Sequence, residues 1–336
     1  MKPLRLISPF CLLAVLLSSC NNSNEHRQTA TGKAGEVIVV ISKSDWESDA
    51  GGAVRDILAS EYPLLPQSEP KFTLINIPQS AFTNIFQLHR NILTVTIDSG
   101  EEAQLISHEN VWAKPQTVIS ITAPNQQSAT NLIKQSSERM TNIYEQAERS
   151  RIIQGYKNIE EPNLRELVNA HFGGSPYFPQ GYSLKKQTDN LLWISYETIY
   201  INQGIFIYKY PYSADKPLTL RNIILKRDEI LRENIEGTEK DSYMTTTKDQ
   251  LDFQPKLSWI KYRDRNFAEV RGLWELVNGF MGGPFVCHSF YDNDGNVIVL
   301  EAFVYSPKYD KRNYLRQVES IIYSFEWDNK VQQDKN

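Results

Sequence analysis

Cys287 and His288 stand side by side, and a thiol beside an imidazole is the pair that cysteine nucleophiles use. Both lie in the run Phe285–Tyr291, which has the pattern of a β-strand. Adjacent side chains in a strand point to opposite faces, so we expect this thiol and this imidazole to be separated. We therefore interpret Cys287 as a buried structural cysteine and assign no catalytic residue.

The segment Asp292-Asn293-Asp294-Gly295, with Glu301 beyond it, has part of the spacing of a calcium-binding loop. The first ligand position of such a loop falls on Phe290, which has no side-chain oxygen. Strand patterns flank the segment, and Asp-Gly is a common pair in hairpin turns. We interpret it as a turn. The sequence offers no His or Cys spacing of a metal site and no phosphate-binding motif, so we predict no metal and no cofactor.

A third group of residues suits binding better than catalysis. Arg271, Trp274 and Glu275 follow one another closely, and such side chains bind carboxylates or stack on sugar rings. With Arg90 they form the candidate binding surface that the sequence suggests. The alternative for these residues is a Trp-filled core with an arginine–glutamate pair at its edge.

The N-terminus indicates export. Lys2 and Arg5 precede an apolar stretch, Leu6–Leu17, which is shorter than a membrane span and has the length of a signal-peptide core. It leads into Leu17-Ser18-Ser19-Cys20, which resembles the bacterial lipobox. This resemblance implies cleavage before Cys20 and a lipid anchor on that residue, which makes a membrane the partner. An ordinary secretory signal with a chance cysteine is the alternative.

Composition excludes some classes of protein. The chain has 336 residues, with 36 Lys+Arg against 40 Asp+Glu and a net charge of −4. This balance excludes the broad basic surface that nucleic acids require, so we predict no nucleic-acid partner. Once Cys11 leaves with the signal and Cys20 carries lipid, only Cys287 remains as a free thiol. The fold must then depend on core burial, because no intramolecular disulfide can form.

The elements that must position these residues are mixed. We expect a signal peptide over 1–19, a lipidated cysteine and flexible tether over 20–35, an N-terminal α/β domain over 36–157, a C-terminal α+β domain over 158–328 and a polar tail over 329–336. The predicted fold class is α+β, with two mixed, largely antiparallel sheets each covered by helices. A single continuous domain is the alternative.

Two similar segments raise the question of an internal duplication. Leu164–Asn169 followed by Gly173-Gly174 is similar to Leu273–Asn278 followed by Gly282-Gly283. Chance is the alternative, because Gly-Gly commonly ends a helix. Asn-Gly at 278–279 is also a hairpin signal, so the second copy is open to interpretation as strand.

Several short motifs point to a family. They are Gly35-Glu36-Val37-Ile38-Val39-Val40, Leu65-Pro66-Gln67, Arg90-Asn91-Ile92-Leu93, Ser242-Tyr243-Met244-Thr245, Arg271-Gly272-Leu273-Trp274-Glu275 and Met281–Val286. In these motifs the chain resembles predicted Gram-negative lipoproteins catalogued as domain of unknown function 4837, over nearly all of the mature sequence. The resemblance implies an envelope lipoprotein and transfers no catalytic residue.

These observations favour a lipid-anchored cell-envelope protein with a non-catalytic binding or assembly role. The sequence after Cys20 has no acidic cluster, which favours the outer membrane with the body facing the periplasm. An envelope protein or a glycan is the expected further partner. The alternative function is an envelope glycan-binding protein or a hydrolase that acts on polysaccharide or peptidoglycan.

Overall fold

The computed structural model describes residues 27–237, 239–248 and 250–328. In the first half of this part the strands are β1 (Gln28–Thr29), β2 (Glu36–Val40), β3 (Thr73–Ile77), β4 (Asn91–Ile97), β5 (Gln104–Glu109), β6 (Ala113–Lys114) and β7 (Thr117–Ala123). The helices are α1 (Lys43–Trp46), α2 (Asp49–Leu58), α3 (Asn84–Gln87), α4 (Gln126–Gln135) and α5 (Ser137–Asn158). Five of the strands form a sheet in the order β3-β2-β4-β7-β5.

The direction of strands in this five-stranded sheet differs from the largely antiparallel pairing that we expected. Strands β3, β2, β4 and β7 are parallel to their neighbours, and the edge strand β5 is antiparallel. Parallel neighbours require a crossover connection, and α1 and α2 provide one between β2 and β3. A short apolar run has the same sequence pattern in a parallel and in an antiparallel sheet. The sequence therefore did not reveal the direction of these strands.

The two faces of the five-stranded sheet are covered differently. Val37 and Val39 of β2 pack in one core with residues of α2, α4 and α5. Ile38 and Val40 point to the other face, where Phe82 and Trp112, in the segments before β4 and β7, pack on them. Helices α4 and α5 are divided at Ser136, where the backbone has φ −96° and ψ 10°.

Part of the predicted tether pairs with the fold. Gln28 and Thr29 pair in parallel with Ala113 and Lys114. The amide of Thr31 donates to the carbonyl of Leu88 at 2.8 Å. These backbone bonds fix residues 28–31 in the fold, so these four residues do not form a flexible tether. Cys20, the signal peptide and the tail beyond residue 328 lie outside the described residues.

The second half contains a larger sheet. Its strands are β8 (Gly174–Ser175), β9 (Ser183–Gln187), β10 (Leu191–Glu197), β11 (Asn202–Pro211), β12 (Tyr243–Thr246), β13 (Lys256–Tyr262), β14 (Arg265–Val277), β15 (Gly282–Tyr291), β16 (Asn296–Tyr305) and β17 (Glu326–Trp327). Its helices are α6 (Pro162–Phe172), α7 (Leu220–Asn234) and α8 (Arg312–Tyr323). The eight-stranded antiparallel sheet has the order β12-β14-β15-β16-β11-β10-β9, and β13 also pairs with β14.

Helices cover both faces of the eight-stranded sheet. Apolar residues of α6 and α8, such as Val168 and Val318, share a core with one face. Ile223 and Leu231 of α7 share a core with the other face. The combination of helices with one mostly parallel sheet and one antiparallel sheet confirms the α+β class. No helix among the described residues has the length and apolarity needed to cross a bilayer.

The two similar segments, Leu164–Asn169 and Leu273–Asn278, have different structures. The first copy, Leu164–Asn169, lies in α6, which ends at Gly173 with φ +70°. The second copy begins in β14, and Asn278, with φ +55°, opens the turn into β15. One copy is helix and the other is strand, so these segments are not repeats of one structural unit.

Candidate functional site

A cleft of about 390 Å³ opens where the two halves of the described chain meet. Arg149 of α5 lines it from the first half, and Glu319 of α8 lines it from the second half. Glu269 and Arg271 of β14 also contribute to its lining. Tyr262, on the edge strand β13, also lines the cleft, and the Arg149 guanidinium lies 5.8 Å from the centre of its ring. The cleft therefore combines buried charges with an aromatic ring.

The alternation of side chains along β14 and the helical spacing along α8 bring these charges together. Alternation along β14 places Phe267, Glu269 and Arg271 on one face of the strand, which is the face that packs against α8. On α8, Glu319 and Tyr323 are four residues apart and therefore share one face of the helix. The charged face of the strand thus lies beneath the charged face of the helix.

Arg271 links two carboxylates. Its Nη2 donates to Glu319 Oε1 at 2.5 Å, and its Nε donates to Glu269 Oε1 at 2.7 Å. Arg149 Nη2 donates to the same Glu319 oxygen at 3.2 Å. Two arginines therefore compensate two glutamates in this cluster, which we call the cleft cluster: Arg149, Glu269, Arg271 and Glu319.

Neutral side chains occupy the remaining carboxylate oxygens. Tyr62 donates its hydroxyl to Glu319 Oε2 at 3.2 Å, and Tyr323 donates its hydroxyl to Glu269 Oε2 at 2.8 Å. His288 Nε2 lies 3.1 Å from the same Glu269 oxygen. A network whose members are all hydrogen-bonded holds its side chains in one arrangement.

Electrostatics keeps both glutamates of the cleft cluster ionised. Burial alone raises the pKa of Glu269, but Arg271 and the hydrogen bond from His288 outweigh it, and the net pKa is lowered. Burial likewise opposes ionisation of Glu319, but Arg271 and Arg149 lower its pKa overall. Burial lowers the pKa of His288 to about 4, although Glu269 favours the charged imidazole. His288 is therefore a neutral donor to an ionised carboxylate at pH 7.

A second set of contacts joins the same two helices. The Arg316 guanidinium of α8 pairs with Glu145 of α5 and donates through Nη2 to the carbonyl of Lys71 at 2.7 Å. Glu145 and Arg149 are one turn apart on α5, as Arg316 and Glu319 are on α8. Oppositely charged residues on facing helices thus line the joint between the two halves.

Cys287 and His288 point to opposite faces of β15, as the alternation predicted. Cys287 packs in the core beneath α7, whereas His288 stacks on Phe267 with ring centroids 4.0 Å apart. Burial, followed by the charge of Glu301, raises the pKa of the Cys287 thiol. This thiol is therefore a poor nucleophile, and the imidazole beside it cannot reach it.

The structure does not bring the four residues of the sequence-based binding surface together. Arg271 lines the cleft, but Trp274 points to the opposite face of β14, is 2% exposed and donates through Nε1 to the carbonyl of Val304 at 3.3 Å. Glu275 is only partly buried and lies opposite Gly282. Arg90 Nη2 pairs with Glu148 at 3.0 Å in the first half. Strand alternation separates residue 274 from residues 271 and 275.

The acidic segment near residue 292 is a turn, as predicted. It joins β15 to β16, Gly295 has φ +79°, and Asp292 accepts the amide of Asn296 at 2.7 Å. Glu301 is fully buried and accepts two hydrogen bonds from Arg227, at 2.7 and 3.0 Å. Within residues 27–237, 239–248 and 250–328, acidic, His and Cys side chains form no group of three placed to bind a metal ion.

A larger open pocket of about 1,020 Å³ lies beside this turn. Its lining includes Glu166, His171, Lys209 and Asp292. Lys209 Nζ donates to the carbonyl of His171 at 2.8 Å, and Asp292 accepts the backbone amides of its own turn. These groups serve local structure, so we take the cleft with its buried ionised groups as the candidate site.

Sequence reasoning missed most of the cleft cluster. In the sequence, Glu319 looks like an ordinary charge on the solvent side of a helix. It is buried because α5 packs over it, and its partner Arg149 is 170 residues away in the chain. The local signal is that charged residues at 269 and 271 alternate with buried Ala268 and Val270 in β14.

Comparison with protein families gives two matches. Residues 161–324 match the domain of unknown function DUF4837. This match confirms the resemblance to that family over the second half of the chain. Residues 30–157 match a different domain of unknown function, DUF8532. The motifs at 35–40, 65–67 and 90–93 therefore lie in the DUF8532 match. The DUF4837 match covers residues 161–324 and does not extend over nearly all of the mature chain.

The search of curated proteins returns no relative of this chain. Solved structures with some likeness include the Saccharomyces cerevisiae Ran-binding protein Mog1p, at 9% identity over 47% of this chain and 92% of that chain, with a TM-score of 0.31. The human StarD13 lipid transfer and protein localization domain has 9% identity over 48% of this chain and 95% of that chain, with a TM-score of 0.22. At such scores the likeness carries no argument about this chain.

Proposed function

We propose that this chain is a lipid-anchored protein of the cell envelope that binds a partner at its cleft without transforming it. The anchor is Cys20 at the end of the lipobox-like sequence, and the body faces the periplasm from the outer membrane. The family matches support a protein built from two domains whose activity is not known. Binding at the cleft is inferred from the chemistry of its side chains.

The observation that carries the binding role is the pairing of charges in the cleft cluster. General acid catalysis at neutral pH uses a carboxyl with a raised pKa, whereas the pKa values of Glu269 and Glu319 are both lowered. Each carboxylate is also held by an arginine. Fixed, ionised, compensated groups beside the ring of Tyr262 recognise a ligand better than they transfer its protons.

The test is affinity capture from detergent-solubilised envelope membranes, with the full chain as bait. Asn142→Ala combined with Gln146→Ala removes exposed side chains of α5 from the cleft lining, and Leu251→Ala, at an exposed position outside the cleft lining, is the matched control. We expect a partner that wild type and the control retain and that the double variant binds at least tenfold more weakly. Equal binding by all three proteins contradicts the cleft as the site, and no reproducible partner contradicts the binding role.

Tyr262 favours a glycan as a second candidate ligand. A tyrosine ring beside arginine and carboxylate groups suits a sugar ring, which stacks on the aromatic face and hydrogen-bonds to the polar groups. Soluble peptidoglycan fragments and envelope polysaccharides are the probes. Saturable binding without turnover, weakened by Tyr262→Ala, supports this candidate. Turnover favours the hydrolase alternative instead, and absence of binding across a glycan array rejects the glycan.

A further inference from the structure

The point at which the chain enters the fold is fixed. Gln28 and Thr29 pair with Ala113 and Lys114, and the amide of Ala30 donates to the carbonyl of Lys114 at 3.1 Å. Gln28 follows Cys20 by eight residues. Eight residues reach at most about 28 Å when fully extended. A lipid on Cys20 therefore holds the β1–β6 pair close to the bilayer surface.

Exposed apolar side chains surround this point. Ile85 of α3 is 78% exposed, and Val111 is 38% exposed. Between Val111 and β6 lies Trp112, whose ring meets Phe82 edge-on with centroids 5.2 Å apart. We call Ile85, Val111, Trp112 and Lys114 the β1–β6 surface. It combines apolar side chains, an indole and a cation next to the tethered end.

Hydrogen bonds hold the parts of the β1–β6 surface together. Gln116 accepts from the amide of Trp112 at 2.9 Å and donates through Nε2 to the carbonyls of Gln87 and His89, at 2.6 and 2.8 Å. Thr31 donates to Leu88 from the incoming chain. The turn that carries Val111, the end of α3 and the incoming chain are therefore one rigid unit.

The β1–β6 surface and the cleft belong to different layers of the molecule. Trp112 and Phe82 pack on the face of the five-stranded sheet that α5 does not cover. Tyr144 of α5 packs on the opposite face, and α5 then contacts α8 of the second half through Arg149 and Glu319. The sheet and α5 thus lie between the β1–β6 surface and the cleft.

We infer that the β1–β6 surface rests on the membrane, and this inference depends on the lipid anchor of the proposed function. Ile85 and Val111 enter the boundary between headgroups and acyl chains, where apolar side chains are favoured. Trp112 lies at headgroup level, and Lys114 meets lipid phosphates. In this orientation the cleft opens away from the bilayer, toward a partner in the periplasm.

Spin labels on the lipidated full chain test the inference. The protein is produced in a Gram-negative host, reconstituted in phosphatidylethanolamine–phosphatidylglycerol vesicles and labelled at Ile85→Cys, Val111→Cys or, as the control, Leu251→Cys. Leu251 is 91% exposed and lies in the second half. Cys287 is buried, and burial raises its pKa, so it takes no label in the native protein.

We expect the ratio of oxygen to aqueous nickel-complex accessibility to be at least threefold higher at positions 85 and 111 than at 251. Equal ratios at all three positions, on protein that floats with the vesicles, overturn the membrane-facing surface and leave the anchor intact. Failure of the protein to float with vesicles contradicts the anchor itself, and the inference is rejected with it.

Discussion

Arg271 and Glu319 form a salt bridge of 2.5 Å between β14 of the eight-stranded sheet and α8. Glu319 also pairs with Arg149 of α5, which belongs to the other half of the described chain. A single carboxylate therefore connects a strand and two helices at the joint between the halves. The same charged residues line the cleft and connect the two halves. A change to the candidate site should therefore also change the stability of the fold.

Removing the arginine at the centre of the cleft cluster should destabilise the protein. Arg271→Met leaves Glu269 without its nearest cation and Glu319 with Arg149 alone. About a fifth of the Arg271 side chain is exposed, so we expect a loss of about 2–4 kcal/mol, somewhat below the usual cost of breaking a fully buried pair. Urea denaturation measures the free energy of unfolding. Lys261→Met, at an exposed position, is the control, and an equal free energy of unfolding in both variants contradicts a structural role for Arg271.

The neutral histidine predicts a specific pH dependence. His288 keeps a pKa of about 4 in the fold against an ordinary value of 6.5, so the unfolded chain takes up its proton first as the pH falls. Stability is then complete above pH 6.5 and decreases between pH 6.5 and 4, by about 3 kcal/mol at one pKa unit per 1.36 kcal/mol. Because the pKa values of Glu269 and Glu319 are lowered, their contribution is lost at still lower pH.

His288→Gln isolates this effect, because glutamine donates a hydrogen bond and does not titrate. Unfolding free energies measured from pH 7 to 4 should decrease less steeply in this variant than in wild type. His108→Gln, at an exposed position on β5, should keep the wild-type slope. If His288→Gln has the wild-type slope, His288 is not the group that titrates.

The Arg227–Glu301 pair should behave as a fully buried ion pair. Both side chains have no exposed surface, and the Arg227 guanidinium lies 3.9 Å from the ring centre of Phe285. Glu301→Leu leaves the buried Arg227 guanidinium with the longer contact to Asp228, at 3.4 Å, and should cost about 3–5 kcal/mol. Combining it with Arg227→Met should recover most of that loss, because both charges are then absent. A double variant as unstable as the sum of the single variants contradicts this interpretation.

The free thiol of the described chain should be protected by the fold. Cys287 is buried and its pKa is raised, so native protein should resist alkylation at pH 8. Denaturation in urea should expose it to rapid reaction. Mass spectrometry of the peptide that contains Cys287 measures the modification, and Ile85→Cys supplies an exposed thiol for comparison. Rapid labelling of Cys287 in native protein contradicts its burial.

The parts of the fold that depend on local pattern were predictable. The spacing of Leu315, Val318 and Ile322 is that of the apolar face of a helix, and the structure has a helix there at Arg312–Tyr323. Alternation predicted that Cys287 and His288 point apart. Strand direction was not predictable, because β2 and β4 are apolar runs that suit parallel or antiparallel neighbours equally.

The cleft cluster was not predictable because its contacts are long-range. Arg271 was recognised as a binding candidate, but its partner Glu319 is 48 residues away. Tyr62 meets the same glutamate from 257 residues away. Trp274 was grouped with Arg271 by proximity in sequence, whereas the strand places the two side chains on opposite faces. Neighbours in sequence are thus separated here, and distant residues form the site.

The lipid anchor that we propose on Cys20 is most directly tested by mass spectrometry of the N-terminal peptide, together with detergent phase partitioning of wild type and Cys20→Ala in a Gram-negative host. We predict that wild-type protein begins at Cys20, carries a diacylglyceryl group and acyl mass on that residue, and enters the detergent phase. We predict that Cys20→Ala stays unprocessed and carries no lipid mass. An unmodified Cys20 in the wild-type protein, or identical partitioning and processing of the two proteins, contradicts a lipid-anchored envelope protein.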